Sequence, residues 1–225
     1  MLIAEDLLLL FYDDESGRAS FDGTKVGYAL AGAVLVELSM LGKVGIAERG
    51  EAVRAGRIMV RDETPTGDDV LDTGLKRLAH RTGQKPKGVL GSLRKDLRER
   101  LLERLADSGH LRRDKRKILG LFPSTRWPSA NAVHKNQVRE SLRSALVSGT
   151  RPDDRTAALI ALLVAIDGVT KVVPTDHKKA TKRRAKEISE SDWAAEAVRK
   201  AVQEVNTVVI AAVAASAAAG SAGGS

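Results

Sequence analysis

The sequence predicts a mainly α-helical single domain with short β-hairpins, one of them projecting. Apolar residues recur at helical spacing over several long stretches, the primary signal for helix. Short β-type runs bracketed by glycine interrupt those stretches twice. Aromatic residues make up only 3% of the 225, whereas hydrophobic residues make up 43%, so the core must be built from Leu, Val, Ile and Ala. Charged residues, 29% of the chain, are mixed among the apolar ones, a composition that folds rather than stays disordered.

The elements follow in order. Leu7–Phe11 is an apolar block, and Asp13–Gly17 after it is a turn. From Lys25 to Leu41 the positions Val26, Leu30, Val34, Leu35 and Leu38 mark a helix, which Gly42 ends as a C-terminal cap. Val44–Ala47 and Arg57–Val60 read as paired strands. Pro65–Asp68 opens another helix, with Thr66 or Asp68 as N-cap. Gln84–Gly88 reads as a loop, followed by one helix from Leu90 to Ala106 with Leu93, Leu97, Leu101 and Leu105 on one face. Gly109–Phe122 reads as strand, charged turn, strand: a hairpin with a basic tip and an apolar return arm. Helices over Asn136–Val147, Asp153–Ile166, His177–Ser189 and Asp192–Ala217 complete the domain, taken as residues 1–219, and residues 220–225 form a disordered tail.

Catalytic signatures are missing from the sequence: no glycine-rich nucleotide loop, no phosphate-loop lysine, no His-Glu-x-x-His and no nucleophile elbow. Cysteine is absent, which removes disulfides and thiolate chemistry and fits a reducing compartment. His80, His110, His134 and His177 lack metal-ligand spacing. Acid pairs such as Asp68-Asp69 and Asp153-Asp154 stand at helix starts, where they satisfy free N–H groups. The chain therefore reads as no enzyme, with no catalytic residues, no cofactor and no metal.

Its net charge of +8 points to a polyanionic partner, a nucleic acid or an acidic membrane face. The start of the chain lacks the pattern of a signal peptide, and the apolar run Val205–Ala219 is shorter than the roughly 20 residues a membrane span needs. Membrane association is thus expected to be peripheral, from the cytoplasmic side. Arg94, Lys95 and Arg98 sit at helical spacings that let their side chains converge on a phosphate. The alternating Asp96, Glu99 and Glu103 also fit a plain solvated helix face. A second basic run, His177–Lys186, is denser. In the hairpin, Ile118, Leu119, Leu121 and Phe122 either pack onto the domain or form a membrane or subunit contact.

Several stretches, in order along the chain, carry a likeness: Ala4–Leu10, Ser20-Phe21, Val36–Leu38 with Leu41-Gly42, Pro65–Asp68, Leu97–Leu101, Leu111–Phe122, Leu159–Leu162 and Ala180–Arg183. Taken together they resemble the Golgi phosphoprotein 3 family, peripheral membrane adaptors that recognise phosphatidylinositol 4-phosphate. The resemblance implies a helical domain, a hairpin serving homo-oligomerisation and membrane contact (here Leu119, Leu121 and Phe122), and recruitment of cytoplasmic tails of membrane proteins. It also implies a headgroup pocket. Lys95 and Arg98 stand at the family's paired basic positions, with Arg94 beside them. The family's tryptophan position is Asp22 and its first arginine position is Ala31, and Lys25 is the nearby cation that would compensate. The alternative is a winged-helix-like nucleic-acid-binding protein, with the basic hairpin as the wing. The scarcity of stacking aromatics and the apolar return arm argue against nucleic acid.

Overall fold

In the computed structural model, which describes residues 1–84, 86–118, 122–191, 203 and 205–215, the elements run α1 (Ile3–Phe11), α2 (Gly23–Met40), β1 (Val44–Ile46), β2 (Ile58–Val60), α3 (Asp69–Ala79), α4 (Pro86–Leu93), α5 (Leu97–Asp107), β3 (Asp114–Ile118), β4 (Phe122–Arg126), α6 (Val133–Leu146), α7 (Asp154–Ala165), α8 (Val169–Val172) and α9 (Lys178–Glu190). Residues 205–215 are helical again. The fold is mainly helical with two small antiparallel hairpins, as the periodicity predicts.

α1 lies at the centre because its sequence leaves it no solvent face. All nine of its residues are buried, and a helix apolar nearly all round belongs inside. Its two carboxylates occupy the first turn, where free N–H groups and the positive end of the helix dipole favour them. Glu5 accepts from the Leu2 N–H at 2.7 Å and meets Arg104 of α5 at 2.8 Å. Asp6 is held by His134 of α6 at 2.7 Å and by Arg155 of α7 at 2.7 and 2.9 Å. One short acidic turn thus ties three helices to the central one.

α2 packs against α1 on one side and α7 on another. It starts at Gly23 because the Asp22 carboxylate caps it, accepting from the Thr24 and Lys25 N–H groups at 2.9 and 3.3 Å. At Gly32 a side chain would lie 3.1–3.2 Å from Leu162, Val205 and Val209, so the close approach of α2 to α7 and to the helix at 205–215 depends on that glycine. Gly42, at φ +70°, closes α2 as expected. The β1–β2 pair then forms in the register Val44↔Val60, Gly45↔Met59, Ile46↔Ile58.

Three details correct the sequence reading. The helix expected over Leu90–Ala106 is two helices. Its leucines are all buried, Leu93 at 2%, Leu97 at 7%, and Leu101 and Leu105 at 0% exposure. The periodicity therefore reports burial correctly, but the backbone breaks at Asp96, which is left-handed at φ +58°. Arg77 favours the break: its guanidinium donates to the carbonyls of Ser92 and Lys95 at 3.2 and 2.8 Å, giving the end of α4 partners other than a continued helix. The expected loop at Gln84–Gly88 is also shorter, since Pro86 begins α4, the position where proline suits a helix.

The second hairpin is displaced along the sequence. The basic residues Lys115–Lys117 lie in strand β3 and not at a tip, and Ile118 pairs with Phe122. The principal contacts of β3 and β4 are with each other. Of the hairpin residues singled out above, Leu119 and Leu121 lie outside the described residues, and of Phe122 the backbone alone is described. The short helix α8 carries no periodic signal in its four residues, so the sequence does not mark it.

Candidate functional site

The break at Asp96 decides where the candidate cations go. Arg94 leaves the end of α4 toward α2, its guanidinium carbon 4.8 Å from the Tyr28 ring centre. Gly27 offers no side chain there, and a Cβ would sit 3.8 Å from Arg94 Cδ. Arg98, in the first turn of α5, donates from both Nε and Nη2 to the Tyr12 hydroxyl. Its Nη1 lies 3.8 Å from where a Cβ of Gly23 would be, beside the first turn of α2. Lys25 is on that same turn and half-buried. Lys95 diverges: it is exposed and lines clefts on the α3 side. The structure therefore collects Arg94, Arg98 and Lys25 around the N-terminal end of α2 and directs Lys95 elsewhere. The convergence of all three of Arg94, Lys95 and Arg98 on one helical face does not occur, because no single helix carries them.

Both positions where the chain departs from the family pattern have a structural reason. Asp22 spends its carboxylate on the α2 N–H groups. Ala31 is fully buried within α2, on the side away from solvent. Among the described residues, Arg94, Arg98 and Lys25 have no carboxylate at ion-pair distance, while Arg100, Arg104 and Arg155 each do. With the α2 N–H groups already taken by Asp22, it is the side chains of these cations that would hold an anion.

Several participants were not anticipated. Tyr12 and Tyr28 hold the two arginines, and burial raises the Tyr12 pKa while Arg98 opposes the rise, so the phenol stays neutral. Lys171 of α8 sits 4.7 Å from the centre of the Phe21 ring, adding a cation next to the α2 cap. Tyr12 and Arg98 are 86 residues apart, and local spacing carries no trace of such a pairing.

The loop over residues 12–22 joins this basic end of α2 to the base of the second hairpin. Gly17 accepts from the Trp127 N–H at 3.0 Å, and Asp14 O accepts from the Ser129 N–H at 2.9 Å. Beneath the loop lies a buried lysine: Lys135, 2% exposed, donates to the Tyr12 carbonyl and, at 2.6 Å, to Asp14, which Arg139 also meets at 3.0 Å. Burial lowers the Lys135 pKa, and Asp14 opposes that. Burial raises that of Asp14, but the hydrogen bonds from Lys135 and Arg139 prevail and hold it below the usual carboxylate value. A carboxyl depressed in the folded state contributes stability above its unfolded pKa and loses it as pH falls through the folded value. Thermal unfolding followed from about pH 5 down to about pH 2 should therefore show a fall in midpoint that Asp14→Asn makes shallower; equal slopes would contradict the pairing.

Among the described residues no group of three or more His, Asp or Glu side chains is arranged to hold a metal, and no helix is long and apolar enough to cross a membrane. A family profile described as Golgi phosphoprotein 3 (GPP34) matches residues 3–205. The vacuolar protein sorting-associated protein 74 of the fission yeast Schizosaccharomyces pombe is 29% identical over 167 residues, 66% of this chain. The match spans about half, 49%, of that relative's length. With nearly its whole length matched by the profile, the chain belongs to the Golgi phosphoprotein 3 family.

Proposed function

We propose that this protein is a peripheral membrane adaptor that docks on anionic phospholipid headgroups, phosphatidylinositol 4-phosphate foremost, and acts by binding rather than by catalysis. The observation that carries this reading is the pair Arg94 and Arg98, each held on a tyrosine beside the first two turns of α2 and neither matched by a carboxylate among the described residues. Lys25 extends this positive surface on the first turn of α2, and Lys171 adds to it. Such a cation near an anionic leaflet contributes about 1 kcal/mol, so these four give weak attachment by themselves. Leu119, Leu121 and Phe122 of the hairpin are the second anchor in this proposal, and two modest anchors together give stable binding. The loop between Tyr12 and Asp22 links the base of that hairpin to the basic end of α2. Homo-oligomerisation through the hairpin and capture of cytoplasmic tails of membrane proteins complete the proposed adaptor role. The relative's name, which places it in vacuolar protein sorting, supports a role in membrane traffic.

Sedimentation with vesicles tests this. Three compositions suffice: phosphatidylcholine alone, with phosphatidylserine, and with phosphatidylinositol 4-phosphate, each at low and high salt. The expected result is no pelleting with phosphatidylcholine, salt-sensitive pelleting with phosphatidylserine, and stronger pelleting with the phosphoinositide. No pelleting with either anionic composition would refute the adaptor reading.

A further inference from the structure

On the other side of the break at Asp96, α3 and α4 enclose an open cleft of about 520 Å³. Arg77, His80, Arg81 and Lys95 line it, and among the described residues no carboxylate does. We propose that this cleft is a second anion site, separate from the one at the end of α2, and that it takes a compact, multiply charged phosphate group.

Three observations carry the proposal. The first is charge without compensation. Arg77 gives its Nη1 to the backbone carbonyls that end α4, and Arg81 reaches the neutral Gln84 side chain at 3.3 Å. Neither arginine, nor Lys95, is ion-paired with a carboxylate among the described residues. Bases gather at the end of α3 in part because a helix C-terminus favours them, but that explains neither Lys95, which arrives from the α4–α5 break, nor the lack of an acid among the described residues of the opposing wall. The second is shape. Gly88 and Gly91, three apart on α4, lie on one helix face and form a floor without side chains. A Cβ at Gly91 would meet nothing within 4 Å, so the glycine is required by no packing contact, and what it leaves open is the cleft. The third is chemistry. Two fork-shaped guanidinium groups, an imidazole and an ammonium around one concavity of this size match the oxygens of a diphosphate or an inositol phosphate better than a single carboxylate.

The same chemistry is offered by a phosphorylated lipid headgroup and by a free phosphate anion, and the test separates them. Titration calorimetry of the full chain with pyrophosphate is run on the wild type and on Arg81→Glu, Gly91→Leu and Arg98→Glu, with circular dichroism to confirm that each is folded. Saturable binding by the wild type is expected, weakened about tenfold or more by Arg81→Glu and similarly by Gly91→Leu, which fills the floor and leaves every charge in place. With Arg98→Glu, which belongs to the other site, the saturable binding that depends on Arg81 and Gly91 should persist within about twofold. In a parallel arm, vesicles carrying phosphatidylinositol 4-phosphate are pelleted with Arg81→Glu: reduced pelleting assigns a lipid headgroup to the cleft, unchanged pelleting a free anion. Absence of saturable pyrophosphate binding would overturn the proposal. So would binding that Arg98→Glu abolishes and Arg81→Glu with Gly91→Leu spare. Failure of all vesicle binding with the pyrophosphate pattern intact would sink the adaptor reading and leave this one standing.

Discussion

Gly17→Ala is expected to destabilise the protein by about 3 kcal/mol or more. Gly17 is left-handed at φ +60°, a conformation that costs a residue with a Cβ about 1–2 kcal/mol. There is also no room: a Cβ would lie 2.4 Å from the Pro128 nitrogen, 2.5 Å from the Trp127 nitrogen and 2.6 Å from Pro128 Cδ. Those atoms are backbone or ring and cannot swing aside, so the strand end must move, at a further cost of about 1–3 kcal/mol for overpacking. The movement would open the bond from the Trp127 N–H to the Gly17 carbonyl and separate the hairpin base from the loop over residues 12–22. Urea unfolding of the two proteins measures the effect. A loss under about 0.5 kcal/mol would show that the loop is not clamped as described.

Asp6→Ala should cost about 3 kcal/mol, within the range for breaking a buried charge pair. Asp6 is 1% exposed and serves two partners, His134 and Arg155, drawn from α6 and α7. Removing it leaves both helices without their polar tie to α1 and opens a gap beside the core. Arg155 retains its bond to the Met1 carbonyl at 2.7 Å and is partly exposed, so it can rehydrate, which keeps the loss from the top of that range. Asp6→Asn, which keeps the volume, should recover part of the difference. Equal stability of the alanine variant and the wild type by chemical denaturation would refute the assigned role.

Much of the fold is legible in the sequence because its causes are local. Helical spacing, the glycine after α2, the cap at Asp68 (which accepts from Val70 and Leu71 N–H at 2.9 and 3.2 Å) and the β1–β2 pair are all written within a few residues. The break at Asp96 is not, because the guanidinium that supports it comes from Arg77, on another helix. Leucine spacing cannot reveal it either, since both halves bury the same stripe. The displaced hairpin register has a similar origin: a run of consecutive basic residues fits a turn or a strand equally well, and pairing with Phe122–Arg126 decides it. For the candidate site, the sequence supplies Arg94, Lys95, Arg98 and Lys25 as candidates. It does not supply Tyr12, Tyr28 or Lys171, which are placed by tertiary packing, and it does not show that Lys95 parts from the other two.

The central claim is that a particular end of the molecule, and not its overall charge, meets the membrane. The direct test compares two variants of identical net charge in sedimentation with phosphatidylinositol 4-phosphate vesicles. One is Arg94→Glu with Arg98→Glu, and the other is Lys178→Glu with Lys179→Glu on the exposed start of α9. The first pair should weaken binding by about tenfold or more, and the second should leave it within about threefold of the wild type. Equal losses in the two variants would mean that general electrostatic attraction suffices and that the basic end of α2 has no privileged role.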